Sequence, residues 1–345
     1  MFDFKKYNNV TSITFSNNVK MVNTNFNNAF SYMKNLKTVN FNHPNVTSMY
    51  SAYSSCWNLT SQPACGDKVT NMTYAYYDCR NLTGSPVCGN NVTDMGRTYY
   101  SCSNLTGSPV CGDKVTNMYS TYEGCRNLTG SPVCGNNVTD MTYAYYDCRN
   151  LTGSPVCGDK VTNMTYAYYD CMNLTGSPVC GNNVTDMSRT YYSCSNLTGS
   201  PVCGDNVTSM YSTYANCYNL TGSPVCGDNV TSMHYTYANC YNLTGSPVCG
   251  NNVTSMHYSY YNCRNLTAES TMYVYNNDIT SFKNCFGEKN NSRRINIKAY
   301  QNTTTWNTLR INNSNSLIGI FVTWTNYDNG GFYNTRYNIY VLPIE

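Results

Sequence analysis

The residues best equipped for chemistry in this chain are its 20 cysteines, and their spacing limits what they can do. Ten run from Cys56 to Cys263 and nine from Cys65 to Cys249, each set at intervals of 23 residues, with Cys285 left over. Structural zinc sites use cysteine pairs two to four residues apart. Here the spacings alternate between 9 and 14, so neither a metal nor another cofactor is expected. Equivalent residues stacked about 4.8 Å apart would fall within the separation a disulfide tolerates, but bonding along such a ladder would strain the stacking. Free thiols packed as small apolar groups are the better reading of the Cys56 to Cys263 set, whereas the Cys65 to Cys249 set is expected to be partly exposed. A chain rich in free thiols suits synthesis in a reducing cytoplasm.

Catalytic groupings do not emerge from the remaining polar residues. Of three histidines, His43 stands alone and His234 and His257 share one repeat position, with no fixed acid neighbour and no Ser/His/Asp or paired-carboxylate pattern. Thr-Gly-Ser-Pro is a turn, not a phosphate loop. Asn-Leu-Thr (Asn58-Leu59-Thr60, Asn219-Leu220-Thr221) and Asn-Val-Thr (Asn206-Val207-Thr208) match glycan acceptor sequons. Their apolar middle residues should point inward, so an amide ladder satisfying turn backbone is the better account of the Asn before Leu. Tyrosines form a complete column from Tyr53 to Tyr260, continuing Phe30. Further rows follow it (Tyr77, Tyr100, Tyr146, Tyr169, Tyr192, Tyr261) or precede it by two (Tyr74, Tyr143, Tyr166, Tyr235, Tyr258). The extra rows would stack on sugar rings or anchor protein partners if exposed, and would form a partly buried wall if not.

One position varies where its neighbours do not. Gly-Ser-Pro-Val-Cys-Gly is unchanged in eight successive repeats between Gly84 and Gly250, while the residue after the first cysteine set reads Trp57, Arg80, Ser103, Arg126, Arg149, Met172, Ser195, Tyr218, Tyr241 and Arg264. Selectivity would reside on that edge, and Trp57, Arg80, Arg126, Arg149, Tyr218, Tyr241 and Arg264 are the candidate binding residues.

The elements that must position these residues follow from the period. Eleven leucines from Leu36 to Leu266 recur every 23 residues, and only three others exist. A period of 20 to 29 with one leucine column is the leucine-rich-repeat range. Within Leu220 to Asn242 (LTGSPVCGDNVTSMHYTYANCYN) the apolar positions are too sparse for a three-turn amphipathic helix. The spacing predicts one short parallel strand per coil around Ser223 to Cys226, weakened by Pro224, and a helical or 3₁₀ turn over Met233 to Asn239. Stacking places each Leu, Val, Met, Tyr and Cys over its equivalent at about 4.8 Å per coil, giving a rod roughly 50 Å long.

Only 11% of the residues are charged and the formal net charge is +3. Residues 1–267 carry 14 Lys/Arg and 13 Asp/Glu, and residues 268–345 carry 7 and 5, so neither nucleic acid nor an anionic membrane is an expected partner. No stretch reaches 18 apolar residues, and Met1 to Val10 lacks the pattern of a secretory signal.

The order Leu220, Val225, Val230-Thr231-Ser232-Met233, Thr236-Tyr237, Cys240, Leu243 resembles the BspA-like leucine-rich repeat, which here covers Thr24 to Thr267 and is closest in Asn28-Ala29-Phe30 and Ser51-Ala52-Tyr53. The chain departs from that pattern by Tyr for Phe, by Pro-Val-Cys-Gly for the usual strand, and by one extra residue before the Val. The resemblance implies a surface-exposed, non-catalytic adhesin or binding rod, of a kind found in gut and oral bacteria, some parasitic protists and their phages.

Four segments are expected: a cap over 1–35 with Lys5, Lys6 and Lys20, the repeat array over 36–267, a degenerate last coil over 268–291, and a C-terminal antiparallel β unit over 292–345 for attachment or oligomerisation. In that unit Asp328-Asn329-Gly330-Gly331 is read as the turn between the run Leu317 to Trp324 and Tyr337 to Leu342. The functional expectation is a phage tail-fibre or virion-surface protein contacting a cell-surface glycan or protein. The alternatives are a bacterial or protist adhesin and a structural fibre assembling with other subunits or copies of itself.

Overall fold

The computed structural model describes residues 7, 9–15, 24–40, 45–266, 270–287, 295–310, 331–334 and 339–344. The chain forms two compact units, Met1–Thr175 and Gly176–Glu345. In each, successive 23-residue coils stack in parallel around a core in which Leu, Val, Met, Tyr and Cys of every coil are fully buried, for example Leu151, Val161, Met164, Tyr168 and Cys171. Each buried side chain of this size contributes about 1.5–3 kcal/mol.

The wall that holds the coils in register lies elsewhere than the sequence suggests. Ser223 to Cys226 is not a strand. The parallel contact is a single-residue bridge per coil, running Asn25, Ser48, Asn71, Asp94, Asn117, Asp140, Asn163 in the first unit and Asp186, Ser209, Ser232, Ser255, Ser281 in the second. It stays one residue long because the bridging side chain turns the chain away: Asn71 Oδ1 accepts the Thr73 N–H at 2.8 Å, and Asp94 does the same for Gly96. At the Pro-Val segment the missing proline N–H leaves no continuous ladder. Instead the buried tyrosine supplies it. The Tyr237 hydroxyl donates to the Val225 carbonyl at 2.6 Å and accepts the Val225 N–H at 3.0 Å.

Met233 to Asn239 is not helical either. Tyr235 (φ 55) and Asn239 (φ 62) are left-handed, which breaks any helix every fourth residue. The N–H groups alternate: Thr236, Ala238 and Cys240 bond three residues back within the coil, while Tyr235, Tyr237 and Asn239 bond to His257, Ser259 and Tyr261 of the next coil at 2.7–2.9 Å. Every second residue is thus a rung.

At the start, β1 (Ser12–Thr14) pairs in parallel with β2 (Thr38–Asn40). Lys5, Lys6, Lys20 and His43 lie outside the described residues. At the other end an insertion shifts the register to 26: Ser281 bridges to Ser255 and Phe286 stacks on Tyr260 with ring centroids 5.6 Å apart. The Cys285 carbonyl accepts the Tyr260 N–H, as that of Ser259 does for Tyr237, so Cys285 takes the serine's place in the last coil.

The C-terminal sheet corrects the expectation of an antiparallel unit. Its order is β3-β4-β6-β5, with β3 (Ser270–Val274), β4 (Ile295–Ala299) and β6 (Ile339–Pro343) mutually parallel, and only β5 (Phe332–Asn334) antiparallel to β6. β5 pairs with β6 up to Asn334↔Ile339; the expected turn over residues 328–330, the run Leu317 to Trp324 and residues 337–338 lie outside the described residues. β3 comes from the segment expected to be a degenerate coil. A short helix, α1 (Thr304–Arg310), was not expected, although Thr303 caps it by accepting the Trp306 N–H at 3.1 Å.

Candidate functional site

A turn in each coil builds the variable edge. Cys148 donates its S–H to the Tyr122 carbonyl of the preceding coil at 3.0 Å, Leu151 is buried, and the Leu151 N–H bonds to the Cys148 carbonyl at 3.1 Å. The two residues between, Arg149 and Asn150, are forced outside. Asn150 joins an amide ladder, donating to Asn127 Oδ1 at 3.4 Å, as Asn81 does to Asn58 at 3.0 Å. The asparagines of the Asn-Leu-Thr triplets therefore bond to one another, not to turn backbone.

The candidate residues form clusters within each unit. In the first, the Trp57 ring carries the Lys34 ammonium at 4.1 Å and the Arg80 guanidinium at 5.3 Å, and its Nε1 donates to Asp78 at 3.0 Å. Asp78 also accepts Arg80 Nε and Nη2 at 2.7 and 3.2 Å. Further along, Asp147 takes Arg149 Nε on one oxygen at 2.5 Å and Arg126 Nε on the other at 2.8 Å. In the second unit Tyr218 and Tyr241 stack at 5.0 Å and 9°, and Arg264 lies 4.6 Å from the Tyr241 ring. Ion pairs whose guanidinium is exposed add little stability; what they do is aim the guanidinium groups. Asp78 and Asp147 were missed from the sequence, and the signal was the repeated Asp-Cys-Arg at 78–80 and 147–149.

A cleft of about 390 Å³ opens on this edge of the first unit, lined by Asp78, Arg80, Tyr100, Ser101, Ser103, Glu123, Gly124, Arg126, Tyr146 and Asp147. Burial pushes the Glu123 carboxyl above its usual range, opposed by a hydrogen bond from Ser120 and the charge of Arg97.

The outer tyrosine rows are half-buried. Tyr77 stacks on Tyr100, and Tyr146 on Tyr169, each at 4.7 Å; Tyr143 stacks on Tyr166 at 4.6 Å and Tyr235 on Tyr258 at 4.7 Å. All 20 cysteines are free thiols, the first set buried and the second half-buried. Burial pushes both sets up, Cys56 and Cys111 to about 12 and Cys65 and Cys203 to about 11, so they are protonated at neutral pH. Among the described residues no three or more His, Cys, Asp or Glu are grouped to hold a metal ion. His234 Nε2 sits 2.6 Å from Ser255 Oγ, a pair the sequence did not reveal. Burial lowers the His234 pKa. No helix among the described residues is long and apolar enough to cross a membrane.

The coil geometry and the leucine column define a leucine-rich-repeat solenoid protein. The BspA type leucine rich repeat region family matches residues 2–129 and 139–267 in 6 copies, and the chain belongs to it. A Kazal-type serine protease inhibitor domain also matches residues 120–146, a stretch that here is repeat coil with Cys125 and Cys134 as free thiols. No curated protein matches the chain. Among solved structures it is similar to a leucine-rich repeat protein from Bacteroides ovatus ATCC 8483, at 15% identity and a TM-score of 0.61 over 86% of this chain and 80% of that one. That likeness extends to the fold. A leucine rich cell surface protein from Faecalibacterium prausnitzii A2-165 aligns at 15% identity with a TM-score of 0.42, over 90% and 92%.

Proposed function

We propose that this protein works by binding, presenting its variable edge to a repetitive cell-surface ligand, foremost a glycan. The observation that carries this reading is the edge itself: a buried scaffold repeated almost without change holds outward a changing series of Arg, Tyr and Trp side chains, each aimed by a carboxylate or a neighbouring ring. Arg, Tyr and Trp dominate binding hot spots, and weak contacts repeated along an array gain strength by avidity. The scaffold groups with chemical reactivity, the thiols and the buried phenols, are neutral, and the phenols and the first cysteine set are enclosed. The C-terminal segment 292–345, whose β4, β5 and β6 form a sheet with β3, is proposed to attach the array to its particle. That particle is read as a virion, from the abundance of Asn and Tyr and the reduced cysteines. Mass spectrometry of purified phage particles against bacterial envelope fractions checks it, and detection only in envelopes favours the adhesin.

Excising whole 23-residue repeats should weaken adhesion to glycan-bearing cells step by step, and Arg126→Ala with Arg149→Ala should weaken it without lowering the melting temperature. Adhesion independent of repeat number would overturn the avidity reading.

A further inference from the structure

We propose that the interruption of the outer tyrosine row at Glu123 is a binding slot for a single pyranose ring of a neutral glycan. In the first unit this row reads Tyr77, Tyr100, Glu123, Tyr146, Tyr169 at 23-residue intervals, and the rings on each side of Glu123 stack at 4.7 Å with interplanar angles of 8° and 9°. Tyr100 and Tyr146 are therefore two coils apart, about 9.6 Å at the usual strand spacing. The faces they turn toward each other bound the space that a tyrosine at position 123 would fill.

The neighbouring positions change in the same coil. Gly124 replaces the Asp or Ser found at Asp78, Ser101 and Asp147, and Ser103 is the small edge residue between Arg80 and Arg126. Together these replacements open the cleft of about 390 Å³, within the range of small-ligand pockets.

The slot's chemistry selects a sugar. A ring midway between the two tyrosines lies about 4.8 Å from each face. A flat aromatic ring also fits that spacing, as the neighbouring stacks at 4.7 Å show, so the choice of a sugar rests on the polar groups around the space. A chair pyranose is thicker, because its axial hydrogens stand off the mean plane, and meets both faces at once. Around it stand hydroxyl-matching groups: Glu123 as acceptor, and Arg80 and Arg126 with five donors each, of which the bonds to Asp78 and Asp147 use two and one. Asp78 and Asp147 are paired with arginines, and the Glu123 carboxylate beside the two rings disfavours an acidic sugar. The site rests on the reading of this edge as a ligand surface, but it needs no avidity.

The full-length protein, titrated with methyl glucoside, galactoside, mannoside, fucoside and 2-acetamidoglucoside under saturation-transfer NMR, should bind at least one of them. Glu123→Tyr restores the array's own ring, so it should fold with an unchanged or higher melting temperature and bind that sugar roughly tenfold more weakly or not at all. Tyr100→Ala should weaken it comparably. Saturation transfer from none of the five, or undiminished binding by Glu123→Tyr, overturns the slot. So does binding of 4-methylphenol in place of every pyranoside, which would make the ligand an aromatic side chain of a partner protein. If Glu123→Tyr binds like the parent while excising repeats still weakens adhesion, the slot fails and the edge reading stands; the reverse pattern sinks the avidity reading alone.

Discussion

At the scale of single residues, the identity of the turn glycines was plain in the sequence and its cause was not. Gly222 has φ +82, and a Cβ there would lie 2.9 Å from Ser200 Cβ and 3.1 Å from its Cα, one coil away. Gly124 is also left-handed, at φ +76, but the nearest atom to an added Cβ is Ser101 Cα at 3.5 Å, and other coils place Ser or Asp at its position. Backbone strain alone costs about 1–2 kcal/mol for a non-glycine residue in this region. Gly124→Ala should therefore cost about 1 kcal/mol, whereas Gly222→Ala adds a clash with the backbone of the neighbouring coil and should cost about 3 kcal/mol. Urea melts of the two variants separate the contributions. Equal losses would mean that the coils are spaced too widely for Ser200 to set the choice. Sequence alone shows which glycine holds through eight successive repeats; only the stacked neighbour shows why.

Elements were legible where a side-chain column defines them and illegible where backbone bonding does. The buried Leu, Val, Met, Tyr and Cys columns were all present in the 23-residue period. The strand was misplaced because Pro-Val-Cys offers a β-branched residue, while the true bridge falls on polar Asn, Asp and Ser whose side chains turn the chain at once. The period shows the tyrosine column as packing, and its second role follows from the proline: Tyr145 donates to the Val133 carbonyl at 2.6 Å and accepts the Val133 N–H at 3.0 Å. Tyr145→Phe keeps the ring stack yet strands two part-buried backbone groups, each costing at most about 1–3 kcal/mol, so a loss of about 2 kcal/mol is expected. Tyr146→Phe, in the half-buried row, should change stability by less than about 0.5 kcal/mol. Chemical denaturation of both variants tests the assignment, and equal effects would return the buried tyrosines to packing alone. The edge was legible as a position, through its variation, but its aiming carboxylates and the slot at Glu123 were not, since both depend on side chains brought together from different coils.

For the whole molecule, both units bury acids in their neutral form. Ten tyrosines from Tyr53 to Tyr260 are fully buried, and burial raises the pKa of thiols throughout, to about 11 for Cys65 and Cys203 and about 12 for Cys56 and Cys111. In the unfolded chain the same thiols titrate near 8.5 and the phenols near 10. A folded-state pKa above the unfolded one contributes stability that is complete below the unfolded value and disappears as pH rises through the folded value. The melting temperature should accordingly hold steady from about pH 6 to 8 and fall steeply above about pH 9. Each buried thiol removes up to about 1.4 kcal/mol per pH unit over that range, and many act together. Because the thiolate is the reactive form, the native protein should react slowly with a disulfide reagent at pH 8 and release close to 20 equivalents once denatured without reductant. A melting temperature unchanged to pH 11, or native thiols reacting at the rate of a free cysteine, would place the columns in contact with water. The enclosed scaffold on which the binding edge depends would then have to be abandoned.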